Sequence, residues 1–158
     1  MEKNILNKNP YIINLEELNI ICNETDKTIG ITTGCFDIFH CGHLQSIKYC
    51  FNNCDLLIVL LNSDISIKKL KGDKRPINKL EYRLDLLKNL PFIDYILIFD
   101  DKDADNLLRK IDFDIFFKGG DYDINKLQKI IPNKKIMLTP FVSGTSSTNI
   151  INTIKNDL

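Results

Sequence analysis

Leu56-Leu57-Ile58-Val59-Leu60-Leu61 is the segment that most limits the fold of this chain. Six consecutive aliphatic residues leave no polar face, so a strand built from them must be covered on both sides. The run is too short to span a membrane, which takes about 20 apolar residues, and no other apolar run approaches that length. Around it, β-type runs at 29–34, 95–99, 114–118 and 135–138 alternate with helical patterns at 42–53, 80–90, 103–111, 124–131 and 147–156. Leu80, Leu84, Leu87 and Leu90 mark one helical face, which Pro91 closes. Strands alternating with helices at this spacing predict βαβ units with right-handed crossovers. The expected fold is α/β: a single doubly wound, Rossmann-like domain with a five-stranded parallel sheet. A further pattern at 15–22 predicts a peripheral helix, which would make 1–26 an N-terminal extension and 27–158 the main domain. The polar connection at 68–79, with Gly72, Asp73 and Pro76, reads as a mobile loop.

Charge narrows the partners. Lys plus Arg and Asp plus Glu are each 21, so the formal net charge is zero. Nucleic-acid and membrane-surface binders usually carry a basic excess, so neither partner is expected. A local basic site for phosphates remains open. Residues 1–9 are polar with no apolar signal core behind them, and the five cysteines have no secreted-scaffold spacing. The expectation is a cytoplasmic protein with reduced thiols.

The chemistry concentrates in Gly34-Cys35-Phe36-Asp37-Ile38-Phe39-His40-Cys41-Gly42-His43, between the first strand and the first long helix. Such a junction leaves free N–H groups and the positive end of a helix facing outward, which favours an anion. His40 and His43 can both face a phosphate there, and Gly42 lets the backbone come close. Two surface histidines at an ordinary helix start would give the same pattern. A zinc site from Cys35, Cys41, His40 and His43 would lack the paired spacing of structural sites, and no metal ligands are assigned.

The full string matches the H-x-G-H signature of the nucleotidyltransferase superfamily, which includes the glycerol-phosphate and choline-phosphate cytidylyltransferases. Further blocks fall in register: Asn62-Ser63-Asp64, Leu70-Lys71-Gly72, Arg75-Pro76-Ile77-Asn78, Glu81-Tyr82-Arg83, Asp94-Tyr95, Lys118-Gly119-Gly120-Asp121-Tyr122 and Gly144-Thr145-Ser146-Ser147-Thr148-Asn149-Ile150-Ile151. With them, residues 27–155 resemble the D-glycero-β-D-manno-heptose 1-phosphate adenylyltransferase domain of bacterial ADP-heptose synthesis. Thr33 stands where that family usually has asparagine, and 123–135 is a few residues shorter than usual.

The resemblance implies transfer of AMP from ATP to a heptose 1-phosphate, with release of pyrophosphate and Mg²⁺ carried by the nucleotide. His40, His43 and Lys71 are the implied catalytic residues, the histidines donating to phosphate oxygens in their charged forms. Thr32, Thr33, Gly34, Phe36 and Gly42 would cradle the nucleotide phosphates. Lys118, Gly119 and Asp121 would hold its base or ribose, and Ser146, Ser147 and Thr148 its outer phosphates; an ordinary Ser/Thr helix cap is the alternative for the last three. Asp37, Lys68, Lys69 and Arg83 are the implied acceptor-binding residues. A helix or turn cap is the alternative for Asp37, a solvated basic surface for Lys68, Lys69 and Lys71, and an intrahelical or interface ion pair for Arg83, which has Glu81 and Asp85 nearby in sequence. A cytidylyltransferase making a CDP-polyol from glycerol 3-phosphate is the alternative enzyme, with CTP in place of ATP. Phe141-Val142-Ser143, where the polyol enzymes carry arginine, favours the heptose side. A nucleotide-binding subunit without catalysis is the alternative from another class. The family also admits a homodimer. Nothing in the chain reads as a kinase, so the acceptor is expected to arrive already phosphorylated.

Overall fold

The computed structural model describes residues 9–120, 122–140 and 146–156. Along the chain run β1 (Tyr11–Ile12), α1 (Leu15–Glu24), β2 (Ile29–Gly34), α2 (Cys41–Asn52), β3 (Leu56–Asn62), α3 (Asp64–Lys71) and α4 (Leu80–Lys88). Then follow β4 (Tyr95–Phe99), α5 (Asp105–Leu108), β5 (Ile115–Gly119), α6 (Ile124–Ile130), β6 (Lys135–Thr139) and α7 (Ser147–Asn156). The strands form one parallel sheet in the order β1-β4-β3-β2-β5-β6. The expected five strands therefore become six. The added one, β1, is a two-residue edge strand held by Tyr11↔Tyr95 and Ile12↔Ile96, too short to show any periodicity of its own.

Two helices also differ from expectation. α3 occupies 64–71, part of which had read as loop. Its start is capped by the Ser63 hydroxyl, which accepts from the Ser66 N–H, and it stops at Gly72, whose φ of 88° suits a residue without Cβ. The pattern at 103–111 condenses into the four-residue α5.

The same device starts three strands. Asp55, Asp94 and Asp114 each precede a strand and accept the N–H of Thr28, Leu57 and Ile29 respectively, at 3.0, 2.8 and 2.7 Å. These carboxylates satisfy donors at the entry end of the sheet that would otherwise lie unpaired. α1 begins with a reciprocal capping box between Asn14 and Glu17.

Every residue of β3 is buried, as its continuous apolar run requires. One face of the sheet packs Leu18, Ile58, Leu60, Leu108, Phe116 and Leu127, from β3, β5, α1, α5 and α6. The other packs Ile47, Leu57, Val59, Leu87, Ile96 and Phe117, with α2 and α4 above it. Leu18 and Cys22 of α1 belong to the first of these clusters, so this helix shares the main core. No helix among the described residues is long and apolar enough to cross a membrane.

The sequence runs outward from β2 through β3 to β4, then returns to the other side of β2 with β5 and β6. The order reverses between β2 and β5, so the carboxyl ends of those two strands are where an open α/β sheet binds its ligand.

Candidate active site

Pairing between β2 and β5 ends at Thr32↔Phe117, while β2 stays with β3 as far as Gly34↔Leu61. The strands thus part after Thr32 and open a crevice. Thr32 itself is closed into the sheet: it is 6% exposed and its hydroxyl donates to the Phe117 carbonyl. Thr33, and not Thr32, lines the cleft that opens there.

A Cβ on Gly34 would lie 2.7 Å from the Phe36 ring, so only glycine lets that ring fold back. Phe36 adopts φ 48°, a left-handed conformation uncommon for a bulky residue and of the kind that clusters at functional sites. Its buried ring supports the site from below, with its centroid 5.3 Å from that of His43. Phe39 flanks His43 at 5.5 Å, and His40 stacks on it at 3.9 Å.

Both histidines belong to the start of α2, with His40 as its N-cap and His43 in the first turn beside Gly42. The His40 N–H donates to His43 Nδ1 at 3.4 Å, which leaves the proton of neutral His43 on Nε2 as a donor. Burial, then the neighbouring His40 and Lys71, push His43 down to about 4. Burial also lowers His40. Without ligand both rings are biased toward neutrality; the expectation of charged rings concerns the phosphate-bound protein. A bound triphosphate would reverse the sign, because nearby negative charge favours the imidazolium. In an NMR titration His43 is expected to protonate near pH 4 when free and at higher pH with ATP present; an unmoved curve would separate the ring from the phosphates.

Lysines approach from both sides. Lys71 ends α3, and its charge reaches both His43 and Cys35. Lys118, near the end of β5, donates to Thr33 Oγ1 at 3.0 Å and lies 4.6 Å from the Tyr122 ring centroid. Lys71, Lys118, Thr33 and Gly34 line a cleft of about 380 Å³ that runs toward α5 and α6. Lys68 and Lys69 are exposed on α3 and do not line it; Lys69 donates to the Asp100 carbonyl at 3.0 Å. Gly119 ends β5 in an exposed position, while Asp121 lies outside the described residues.

α7 brings its start against the same turn, since the Ser147 hydroxyl donates to the Ile38 carbonyl at 3.3 Å. Ser146 acts as the helix cap, its Oγ accepting the Asn149 N–H at 3.0 Å. Thr148 follows in the first turn. The 141–145 segment lies outside the described residues. Among the described residues, no three His, Cys, Asp or Glu side chains gather to hold a metal.

Asp37 and Arg83, expected to bind the acceptor, are both tied to groups of the protein itself. Asp37, 2% exposed, accepts from Arg75 Nε at 2.6 Å, from the Ile77 N–H at 2.8 Å and from the Asn78 N–H at 2.7 Å. The Asn78 side chain returns a hydrogen bond to the Asp37 carbonyl. The segment after α3, expected to be mobile, is thereby tied to the histidine turn. Arg83 is 1% exposed and pairs with Asp64, not with Glu81 or Asp85; its other N–H groups hold the carbonyls of Cys35, Asn62 and Asn78. Both residues position the site from beneath. Arg75 and Asn78 were visible in the sequence as a shared block, but nothing in their spacing pointed to Asp37.

For Asp37, burial raises the carboxyl pKa, but the hydrogen bonds from Asn78, Ile77 and Arg75 outweigh it and leave the net value below the ordinary range. Its stabilising contribution is therefore complete above the unfolded value of about 3.9 and is lost as pH falls through the lower folded value. Asp37→Asn is expected to cost about 2 kcal/mol at pH 7 in urea denaturation, with the gap narrowing below pH of about 4. A gap constant down to acid pH would mean that the charge contributes nothing.

Residues 31–153 match the cytidylyltransferase-like family. The chain belongs to that family. It is 42% identical over 91% of its length to the "Bifunctional protein HldE" of Campylobacter fetus, and 36% identical over 96% to that of Aliarcobacter butzleri. It spans about a third of the length of these curated relatives, 31% and 32%. A solved lipopolysaccharide core biosynthesis protein from Thermoplasma volcanium aligns with a TM-score of 0.65 at 28% identity, covering 74% of this chain and 99% of that one. A Francisella tularensis pantoate-β-alanine ligase, at 17% identity and a TM-score of 0.63, shares the fold; the match covers 92% of this chain and 77% of that one.

Proposed function

We propose that this protein transfers AMP from ATP to a sugar 1-phosphate, a heptose 1-phosphate, and releases pyrophosphate. The observation that carries the reading is the stacked His40–His43 pair at the start of α2, at the carboxyl end of β2 and within electrostatic reach of Lys71. The resemblance to heptose 1-phosphate adenylyltransferases and the 42% identity with a bifunctional HldE support the choice of substrates.

In this reaction an oxygen of the acceptor phosphate attacks the α-phosphorus, a new P–O bond forms, and the bond to the β-phosphate oxygen breaks. The attacking phosphate is already ionised near neutral pH, so the residues here need only position it and stabilise charge. His43 Nε2–H donates to oxygens on which the charge of the departing pyrophosphate builds. Lys71 and Lys118 supply fixed positive charge on either side of β2. Mg²⁺, expected to be carried by the nucleotide, would add to the charge neutralisation that Lys71 and Lys118 supply.

Pyrophosphate release is the deciding measurement, with ATP, CTP, GTP and UTP each crossed against heptose 1-phosphate and glycerol 3-phosphate in the presence of Mg²⁺. Release with ATP and heptose 1-phosphate alone is expected. Release with CTP and glycerol phosphate would overturn the substrate assignment, and nucleotide binding with no release in any pairing would overturn catalysis.

A further inference from the structure

The cleft on the α5 and α6 side of the switch point has its own chemistry. Its floor is apolar, made by Phe99, Leu108 and Phe116, none more than 9% exposed. Lys71 and Lys118 line it near the end of β2, and Asp105 lines it at the first turn of α5. At about 380 Å³ it lies at the small end of ligand-binding pockets. That volume suits a sugar monophosphate better than a whole nucleoside triphosphate.

Asp105 is half-buried and, among the described residues, forms no ion pair. Burial first, and then the neighbouring Asp103 charge, hold its carboxyl above the ordinary range, against the pull of Arg109 and Lys118. A carboxylate here would repel a second phosphate group, but it accepts hydrogen bonds from hydroxyls. Over an apolar floor, which receives the C–H face of a sugar ring, the cleft therefore matches one ligand class: a phosphate at one end and several hydroxyl donors along the rest.

We infer that Asp105 is the specificity-determining residue for a polyhydroxylated acceptor, accepting hydrogen bonds from sugar hydroxyls while the acceptor phosphate faces Lys71. The inference deepens the proposed function and rests on it for the identity of the acceptor as a sugar phosphate. Asp105 lies in a turn that no motif in the sequence singled out, since its role depends on the cleft that β4 and β5 create.

The test compares the full chain with Asp105→Asn and Asp105→Ala. KM would be measured for heptose 1-phosphate and for ATP, and direct binding of each substrate by calorimetry. In Asp105→Ala the acceptor KM is expected to rise about tenfold or more, as loss of a charge-assisted hydrogen bond implies, with KM for ATP and the melting temperature nearly unchanged. Asp105→Asn, which keeps one acceptor oxygen, should fall between. An unchanged acceptor KM in an active enzyme would overturn the inference and leave the proposed function standing. Equal losses for ATP and acceptor would also overturn it, by making the cleft part of the nucleotide site. If the wild-type chain released no pyrophosphate yet bound heptose 1-phosphate in an Asp105-dependent way, the proposed function would fail and the inference would hold. Absence of sugar-phosphate binding by the wild-type protein would overturn both.

Discussion

Arg83→Ala is expected to destabilise the protein by about 3–5 kcal/mol, because it strips the donors from buried carbonyls and leaves a cavity. The guanidinium is 1% exposed and gathers four segments at once. Nε donates to the Asn78 carbonyl at 3.0 Å, Nη1 to the carbonyls of Cys35 and Asn62 at 2.7 and 2.8 Å, and Nη2 to Asp64 at 2.8 Å. Alanine would leave three carbonyls and a carboxylate without these donors, together with a cavity where the side chain had been. Lysine keeps the charge but not the planar fork, so Arg83→Lys should recover only part of the loss. Urea denaturation monitored by circular dichroism gives the answer through a lower midpoint at constant slope. A shift below about 1 kcal/mol, the scale of an ordinary surface ion pair, would mean that Arg83 is not the tie it resembles.

His43→Ala should act on rate and hardly on folding. If the Nε2–H meets charge that develops only in the transition state, kcat should fall about 10²–10³-fold, as when a donor is removed from an oxyanion site. The affinity for ATP should change by only a few-fold, because a ground-state phosphate contact is weaker. The ring is half-buried against Phe36 of the core, Phe39 and His40, so the loss of stability should be small beside the fall in rate. Single-turnover pyrophosphate release, paired with nucleotide titration, separates the two effects. A variant that loses nucleotide binding but turns over bound substrate normally would make His43 a binding residue.

The parts of the fold legible in the sequence were those with enough length to show a period. β3 and β4 emerge from continuous apolar runs, β2 from a β-type run that ends on glycine, and α7 from its helical pattern. β1 could not be read, because a two-residue strand exists only through its pairing with Tyr95 and Ile96. α3 was missed although its signals were present, a serine cap at Ser63 and a glycine stop at Gly72, because its lysines made the stretch resemble a solvated loop. At the site, the histidine turn was legible because its residues are adjacent in sequence. The Asp37–Arg75–Asn78 tie and the Arg83 tie were not, since each joins residues from separate segments through buried groups whose partners only the folded chain defines.

The pairing of β2 with β5 sets Gly30 beside Ile115, and Lys118 against Thr33 across 85 positions of sequence. Closing so long a loop carries an entropic cost that local helical contacts do not meet, and long-range parallel pairing of this kind forms slowly. During synthesis, β2, β3 and β4 can associate while one edge of β2 still lacks its neighbour. The crevice between β2 and β5 comes into being only when the last third of the chain has arrived, so the nascent protein carries its histidine turn long before the neighbouring cleft exists.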